Sequence, residues 1–209
     1  MTKAMKTNTA PVISCARLRM ATDGQGVTTL VVFHDCPLRC KYCINSYSFD
    51  PSTKREEMTP EALYEKVRID DLYFVATGGG ITFGGGEPLL RAEFLREFRA
   101  LCGDRWHLCA ETSLNVPSEA VRMAAECIDT FYVDCKDTDP EIYRAYTGKD
   151  NGEMLENLRL LLSLVGPHRV VVRVPLIPAF NTPAHQKASH ERLEKLGVTQ
   201  FDLFPYKVK

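Results

Sequence analysis

Val27-Thr28-Thr29-Leu30-Val31-Val32-Phe33-His34 runs straight into Asp35-Cys36-Pro37-Leu38-Arg39-Cys40-Lys41-Tyr42-Cys43-Ile44-Asn45. The first segment is apolar and β-branched, as a buried strand must be. The second is a polar loop carrying three cysteines. In parallel α/β folds the C-terminal edge of the strands is where ligands bind. The fold therefore turns on whether more strands of the same kind follow.

They do. Strands are expected at Gly80–Phe83, Trp106–Glu111, Thr130–Cys135, Val170–Ile177 and Phe201–Phe204. Helical spacing is expected over Pro60–Asp71, Leu89–Leu101, Ser118–Cys127 with Ser118 as its cap, Asn151–Val165, and Thr182–Leu196 ended by Gly197. Six strands alternating with helices predict an α/β fold with a parallel sheet, open or curved into a partial barrel. No repeat, low-complexity tract or linker interrupts residues 1–209, so one domain is expected, with 1–22 as an N-terminal extension.

Composition narrows the function classes. Lysine and arginine total 26 against 27 acids, a net charge of −1, which leaves no long-range field for nucleic acid or an anionic membrane. No apolar stretch approaches membrane-spanning length. Lys3, Lys6, Arg17 and Arg19 lie near the N-terminus, but no apolar core follows Met1 as a signal peptide needs, so a cytoplasmic location is the default. Eight cysteines then point to metal or redox chemistry more than to disulfides. Cys15, Cys102, Cys109, Cys127 and Cys135 are scattered and read as core.

Cys36, Cys40 and Cys43 lie close enough in one loop to share a metal centre. Iron–sulfur clusters are bound by cysteine thiolates, usually four. With three local thiolates, one position stays open for a substrate. The rival is structural zinc, with His34 as a fourth ligand, in a binding module without catalysis; zinc sites commonly use two short-spaced ligand pairs, and no second pair follows here. A third reading is three buried cysteines without metal, which the charged residues between them disfavour.

Gly78–Gly80 precede the second strand, and Gly84-Gly85-Gly86 end it before Glu87. Neither triplet fits a phosphate loop or a dinucleotide fingerprint. Glycine there lets backbone approach a ligand, and Glu87 could accept hydrogen bonds from an ammonium group, or else sit solvated in a tight turn. Asp134 and Lys136, two apart on a strand, share a face, and Cys135 points the other way. They either pair with each other or bind a ligand. Arg173, amid valines, either binds the same ligand or pairs with Asp134 or Glu111.

The C-x3-C-x2-C segment with Tyr42 before its last cysteine resembles the signature of the radical S-adenosylmethionine (SAM) superfamily. Further segments resemble, in order, the activating enzymes of glycyl-radical enzymes, of the pyruvate formate-lyase activating type. They are Thr22-Asp23-Gly24-Gln25-Gly26-Val27, Gly78 through Glu87, Asp134-Cys135-Lys136, Tyr143 through Gly148 with Asn151, Val172-Arg173 through Ile177-Pro178, and Pro205-Tyr206. The likeness covers roughly residues 23 to 207.

The resemblance implies a partial (β/α)6 TIM-like barrel holding a [4Fe–4S] cluster on Cys36, Cys40 and Cys43. It places SAM against Tyr42, Asn45, Gly85, Gly86, Glu87, Asp134, Lys136, Arg173 and Lys207, with Gly-Gly-Glu at the SAM amino group, Lys136 at its carboxylate and Tyr42 shielding the cluster. Glu111, Thr112 and Asp134 stand where the family places a monovalent cation. Flavodoxin or ferredoxin would reduce the cluster; SAM would be cleaved to methionine and a 5′-deoxyadenosyl radical, which takes hydrogen from a glycine α-carbon of a partner enzyme. No protein acid or base is required for that abstraction. The departures are Ile44 where the pyruvate formate-lyase activator has histidine, Lys207 where histidine often follows Pro-Tyr, an early end to the chain, and no insert for extra clusters. They leave open a different peptide or small-molecule substrate, or a relative that binds SAM without turnover.

Overall fold

A computed structural model describes residues 8–20 and 23–207. In chain order the elements are β1 Ala10–Met20, β2 Val27–Phe33, β3 Glu56–Met58, α1 Pro60–Val67, α2 Asp71–Thr77, β4 Gly80–Gly85, α3 Ala92–Cys102, β5 His107–Thr112, α4 Ser118–Ala125, β6 Thr130–Asp134, α5 Pro140–Thr147, α6 Gly152–Val165, β7 Val170–Leu176, α7 Pro183–Lys195 and β8 Gln200–Pro205. All eight strands form one sheet in the order β3-β1-β2-β4-β5-β6-β7-β8. From β2 to β8 every pairing is parallel and follows chain order. That is the progression of a β/α barrel, and β3 and β8 remain separate edges, so it is open.

The six expected strands are present, and two more flank them. β1 pairs antiparallel with β2, and β3 pairs antiparallel with β1. The stretch read as an extension thus supplies a sheet strand; residues 1–7 and 21–22 of it lie outside the described residues. Periodicity hid β1. Its first residues are buried, but its second half is mostly exposed and irregular, with register shifts and Leu18 at φ 54°.

Among the expected helices, the Pro60 segment splits at the 3-10 turn Arg68–Asp70 before α2. Ser118 is not a cap: Pro117 holds that position, and no side chain bonds the first turn. α5 was not anticipated as a helix. Asp139 accepts from the Glu141 and Ile142 amides, Pro140 opens the first turn, and Gly148 ends it at φ 80°.

Residues paired across a parallel sheet share a face. Val31, Phe33, Ile81, Phe83, Leu108, Phe131, Val133 and Val172 are buried against Phe94, Phe98, Val121, Leu158 and Leu193 of the helices. Cys135 joins this core, as the alternation predicts. The concave face carries a different set: Thr82, Gly84, Cys109, Glu111, Tyr132, Asp134 and Arg173, with Thr82 beside Cys109, Glu111 beside Tyr132, and Asp134 beside Arg173. One face is thus apolar and packed, and the other carries the polar and charged groups, with Thr82 and Cys109 buried and Glu111, Tyr132, Asp134 and Arg173 only partly so.

Candidate cluster and cosubstrate site

β2 ends in a sharp change of direction. Asp35 takes φ 78°, a left-handed conformation that Asp tolerates better than most residues. Its amide donates to the Ser48 carbonyl at 2.7 Å. Its carboxylate takes hydrogen bonds from His34 Nδ1 at 2.8 Å and the Arg91 guanidinium at 2.6 Å. This residue turns the chain out of the sheet and into the cysteine loop.

The loop is joined to the Gly-Gly-Glu segment by backbone. Gly86 N–H donates to the Phe33 carbonyl at 2.9 Å, and Glu87 N–H donates to the Asp35 carbonyl at 2.8 Å. At the far end of the loop, Asn45 Nδ2 donates to the Gly85 carbonyl at 3.4 Å. The approach is possible because residue 86 is glycine: a Cβ there would run into the Asp35 carbonyl. α5 holds the middle of the loop, with Arg39 N–H on the Thr147 carbonyl at 2.9 Å and Lys41 N–H on that of Tyr146 at 3.1 Å. From beyond β8, the Tyr206 hydroxyl donates to the Tyr42 carbonyl at 2.5 Å. The Tyr42 ring meets Tyr146 and Phe180 edge-on, with centroids 6.1 and 5.6 Å away.

Cys36, Cys40 and Cys43 are free thiols, each partly buried. Burial pushes Cys36 up to about 12 and Cys40 up to about 11, and raises Cys43. Backbone N–H groups of Leu38, at Cys36, and Asn45, at Cys43, oppose that rise. The Cys36 thiol senses the charges of Cys40, Cys43 and Glu87, and the Cys40 thiol senses Lys136. Three thiols of one loop within electrostatic reach of one another, two of them with a neighbouring amide aimed at sulfur, suit a cysteine-bound iron–sulfur cluster.

They do not suit a single ion. Among the described residues no three His, Cys, Asp or Glu side chains converge as a mononuclear site needs. His34, the candidate fourth zinc ligand, has both ring nitrogens engaged, Nδ1 by Asp35 and Nε2 by the Asp50 carbonyl at 3.0 Å. In a cluster each thiolate meets its own iron, so the sulfurs need not share a focus.

Glu87 is buried, and its carboxylate accepts four hydrogen bonds: Thr112 Oγ1 at 2.7 Å, Ser113 N–H at 2.8 Å, Ser113 Oγ at 2.7 Å and Leu89 N–H at 3.2 Å. Burial raises its pKa, and the Ser113 and Thr112 donors oppose the rise. A carboxylate has about four lone-pair sites, so this one is filled by protein. The side chain that sequence reading offered to an ammonium group clamps the loop after β5 instead.

Next along the rim, Lys136 Nζ meets Asp134 at 2.8 Å, and Arg173 meets Glu111 at 2.8 Å and Asp134 at 3.9 Å. The guanidinium also lies over the Tyr132 ring, 4.7 Å from its centroid. Burial alone would raise the Asp134 pKa, but Lys136 and Arg173 outweigh it and hold the carboxyl low. Burial would likewise lower Lys136, and Asp134 outweighs it, so the ammonium stays charged. Glu111 is pushed up by burial against the pull of Arg173. The ion pairs expected as the structural alternative are therefore present, at the same rim as the cysteine loop.

Of the residues singled out from sequence, Cys36, Cys40, Cys43, Tyr42, Asn45, Gly85, Gly86, Glu87, Asp134 and Lys136 lie at or beyond the C-terminal ends of their strands, and Arg173, midway along β7, is level with Asp134 in the sheet register. Lys207 is exposed and makes no hydrogen bond or ion pair among the described residues. Thr22 lies outside the described residues, and Asp23 and Gly24 pack by Thr82 and Cys109, lower on the concave face. Sequence reading passed over Asp35, Arg91, Ser113 and the hydroxyls of Tyr146 and Tyr206. The Pro205-Tyr206 and Tyr143–Gly148 segments were the available signals for the last two.

A hollow of about 550 Å³ between Tyr64, Arg68, Asp71 and Arg105 lies elsewhere, on the helical layer. Its charges pair locally, Arg68 with Glu65 and Arg105 with Asp71.

A cysteine loop stitched to a glycine-rich strand end, on the C-terminal rim of an open β/α barrel, defines a class of protein whose rim is suited to a thiolate-bound cofactor. The chain belongs to the radical SAM superfamily, whose description matches it over residues 30–183. It is 33% identical over 174 residues to the (2S)-3-sulfopropanediol dehydratase activating enzyme of Klebsiella oxytoca, covering 80% of this chain and 53% of that one. It is 30% identical over 193 residues to a pyruvate formate-lyase-activating enzyme of Listeria monocytogenes, covering 88% and 77%. The chain thus spans about half the length of the first relative. Among solved structures, Streptococcus suis SuiB bound to S-adenosylmethionine superimposes with a TM-score of 0.64 at 11% identity, over 85% of this chain and 42% of that one, which supports the fold. Family membership implies SAM and a [4Fe–4S] cluster as the cofactors.

Proposed function

We propose that this chain is a radical SAM activase that generates a glycyl radical on a partner enzyme. The observation carrying the reading is the backbone seam between the cysteine loop and the Gly-Gly-Glu segment, Gly86 to Phe33 and Glu87 to Asp35. It sets three thiols beside a polar face that holds Lys136, Asp134, Arg173 and Glu111. Relatives named as activating enzymes support it.

In this reading Cys36, Cys40 and Cys43 hold the cluster, which with SAM supplies the one-electron cleavage chemistry of the family. The chain's own residues bind, orient and exclude water. Lys136, kept charged by Asp134, anchors the cosubstrate carboxylate. Asn45 and the Gly85 and Gly86 backbone line the amino-acid end, with Glu87 holding that backbone in place through its four donors. Arg173 supplies positive charge between Glu111 and Asp134. A monovalent cation at Glu111, Thr112 and Asp134 is the second way to balance those acids, and sodium or potassium dependence of SAM binding distinguishes the two. Flavodoxin or ferredoxin is the proposed reductant, in an anaerobic cytoplasm. No helix of the described residues is long and apolar enough to cross a membrane.

The test is anaerobic reconstitution with iron and sulfide, then SAM, reductant and candidate glycyl-radical enzymes. Expected are about four irons and four sulfides per chain, 5′-deoxyadenosine, and a glycyl-radical signal in one partner. Zinc without sulfide overturns the enzyme reading. Deoxyadenosine with no radical on any partner moves the substrate to another peptide or a small molecule.

A further inference from the structure

The two edges of the sheet are built differently. β3 is three residues long and carries exposed Glu56 and Glu57, a short charged edge of the kind that deters strand addition. β8 runs six residues in unbroken register with β7, from Gln200 opposite Val171 to Pro205 opposite Leu176. No strand of the described residues covers its outer side.

One hydrogen bond fixes which groups that edge offers. Tyr206 N–H donates to the Leu176 carbonyl of β7 at 2.8 Å. Main-chain direction alternates along a strand, so Asp202 and Phe204 also turn their amides to β7, while Phe201 and Leu203 turn theirs outward. Pro205 takes the next outward position, where its missing N–H breaks no ladder bond. Asp202 stands level with Arg173 and shares its concave face. It is exposed and makes no hydrogen bond or ion pair among the described residues. Arg173 senses its charge but is bonded to Glu111 and Asp134. Past the strand, the Tyr206 hydroxyl bonds the Tyr42 carbonyl, so a segment laid along β8 comes out beside the cysteine loop.

We propose that the open edge of β8 is where the partner enzyme docks its glycine-bearing segment. An extended stretch adds to the sheet through the main chain of Phe201 and Leu203, with a lysine or arginine side chain against Asp202. The inference rests on the activase reading above. Main-chain pairing suits a target residue that has no side chain, and Asp202 selects the charge beside it. A second copy of this chain fits worse, because pairing β8 with itself would set Asp202 opposite its own copy.

Synthetic extended peptides with a central glycine are the probes, carrying arginine or glutamate beside it, together with an arginine peptide N-methylated along its main chain. Titrated into the reconstituted chain and followed by fluorescence anisotropy, the arginine peptide should bind roughly fivefold tighter than the glutamate one. Asp202→Lys should reverse that order. N-methylation should weaken binding by about tenfold. Leu203→Pro should weaken it likewise at an unchanged Tm, since the lost N–H carries no ladder bond. If Leu203→Pro does not fold, the N-methylated peptide carries the same test. Binding that ignores N-methylation overturns the inference, and so does equal affinity for the two charges. A dimer of the parent chain in sedimentation that Leu203→Pro dissociates also overturns it, by giving the edge to a second copy. In each of these cases a radical on a partner enzyme leaves the activase reading intact. The expected binding pattern with no radical on any partner overturns both that reading and the occupant named here, and passes the edge to another peptide.

Discussion

Two single residues set the geometry of the rim. Asp35 holds a left-handed turn and receives Arg91, His34 and the Glu87 amide. Glu87 receives four donors from three residues. Glu87→Ala strands buried donors at Ser113, Thr112 and Leu89, so it should cost about 3 kcal/mol or more in urea unfolding. The thiols give a second expectation. Cys36 and Cys40 are raised by burial from 9.0 to about 12 and about 11. They are protonated in the metal-free protein at neutral pH, so cluster assembly must expel protons and should strengthen as pH rises, releasing about one proton per ligating thiol in a weakly buffered titration. For metal-free stability the sign reverses. Above pH 9.0 the unfolded chain loses its thiol protons first. Stability therefore declines from there up toward the folded values, which urea melts at pH 8 and pH 10 would show.

At the scale of elements, the junction of β2 with β4 carries the site, and its glycines separate fold from function. Gly86 abuts the Asp35 carbonyl, so Gly86→Ala must part the two loops. Loss of the Glu87-to-Asp35 hydrogen bond, about 2 kcal/mol of destabilisation and poor cluster retention are expected together. Gly84 faces the concave side, where an added Cβ would stand 3.1 Å from Glu111 Oε2 and 3.3 Å from Leu30 Cδ1. Gly84→Ala should fold with a Tm close to the parent's and bind SAM more weakly, as isothermal titration of the reconstituted protein would show. Elements with a clean period were legible in advance: β2, β7 and α6 are dense in valine or leucine on a buried face. β1 was not, because its second half alternates poorly and its pairing is interrupted. α5 was missed although Asp139-Pro140 is a proper opening, since its buried face is made of Tyr143, Tyr146 and Thr147 rather than aliphatic residues.

At the scale of the molecule, one sheet organises everything, with its apolar face toward the helices and its polar face toward the site. The cluster should act as a ligand of the native state. Bound at a hundredfold excess over its dissociation constant, a ligand adds about 2.7 kcal/mol. For a chain of this size that is roughly 5–10 °C in Tm. Calorimetry before and after reconstitution should show the rise, and chelation should remove it.

Strand order, helix alternation and the identity of the rim residues were written in local pattern: strand periodicity, a three-cysteine loop, glycines before a glutamate. Local pattern carries these because backbone geometry and short loops act over a few residues. Which partner each polar group takes was settled only by tertiary structure. The Glu87 carboxylate turns to Ser113 and Thr112, 26 and 25 residues away, His34 is engaged at both nitrogens, and Tyr206 reaches back 164 residues to Tyr42. A hydrogen bond depends on distance and direction in space, and a buried polar group takes the nearest donor the fold presents, wherever that donor stands in the chain.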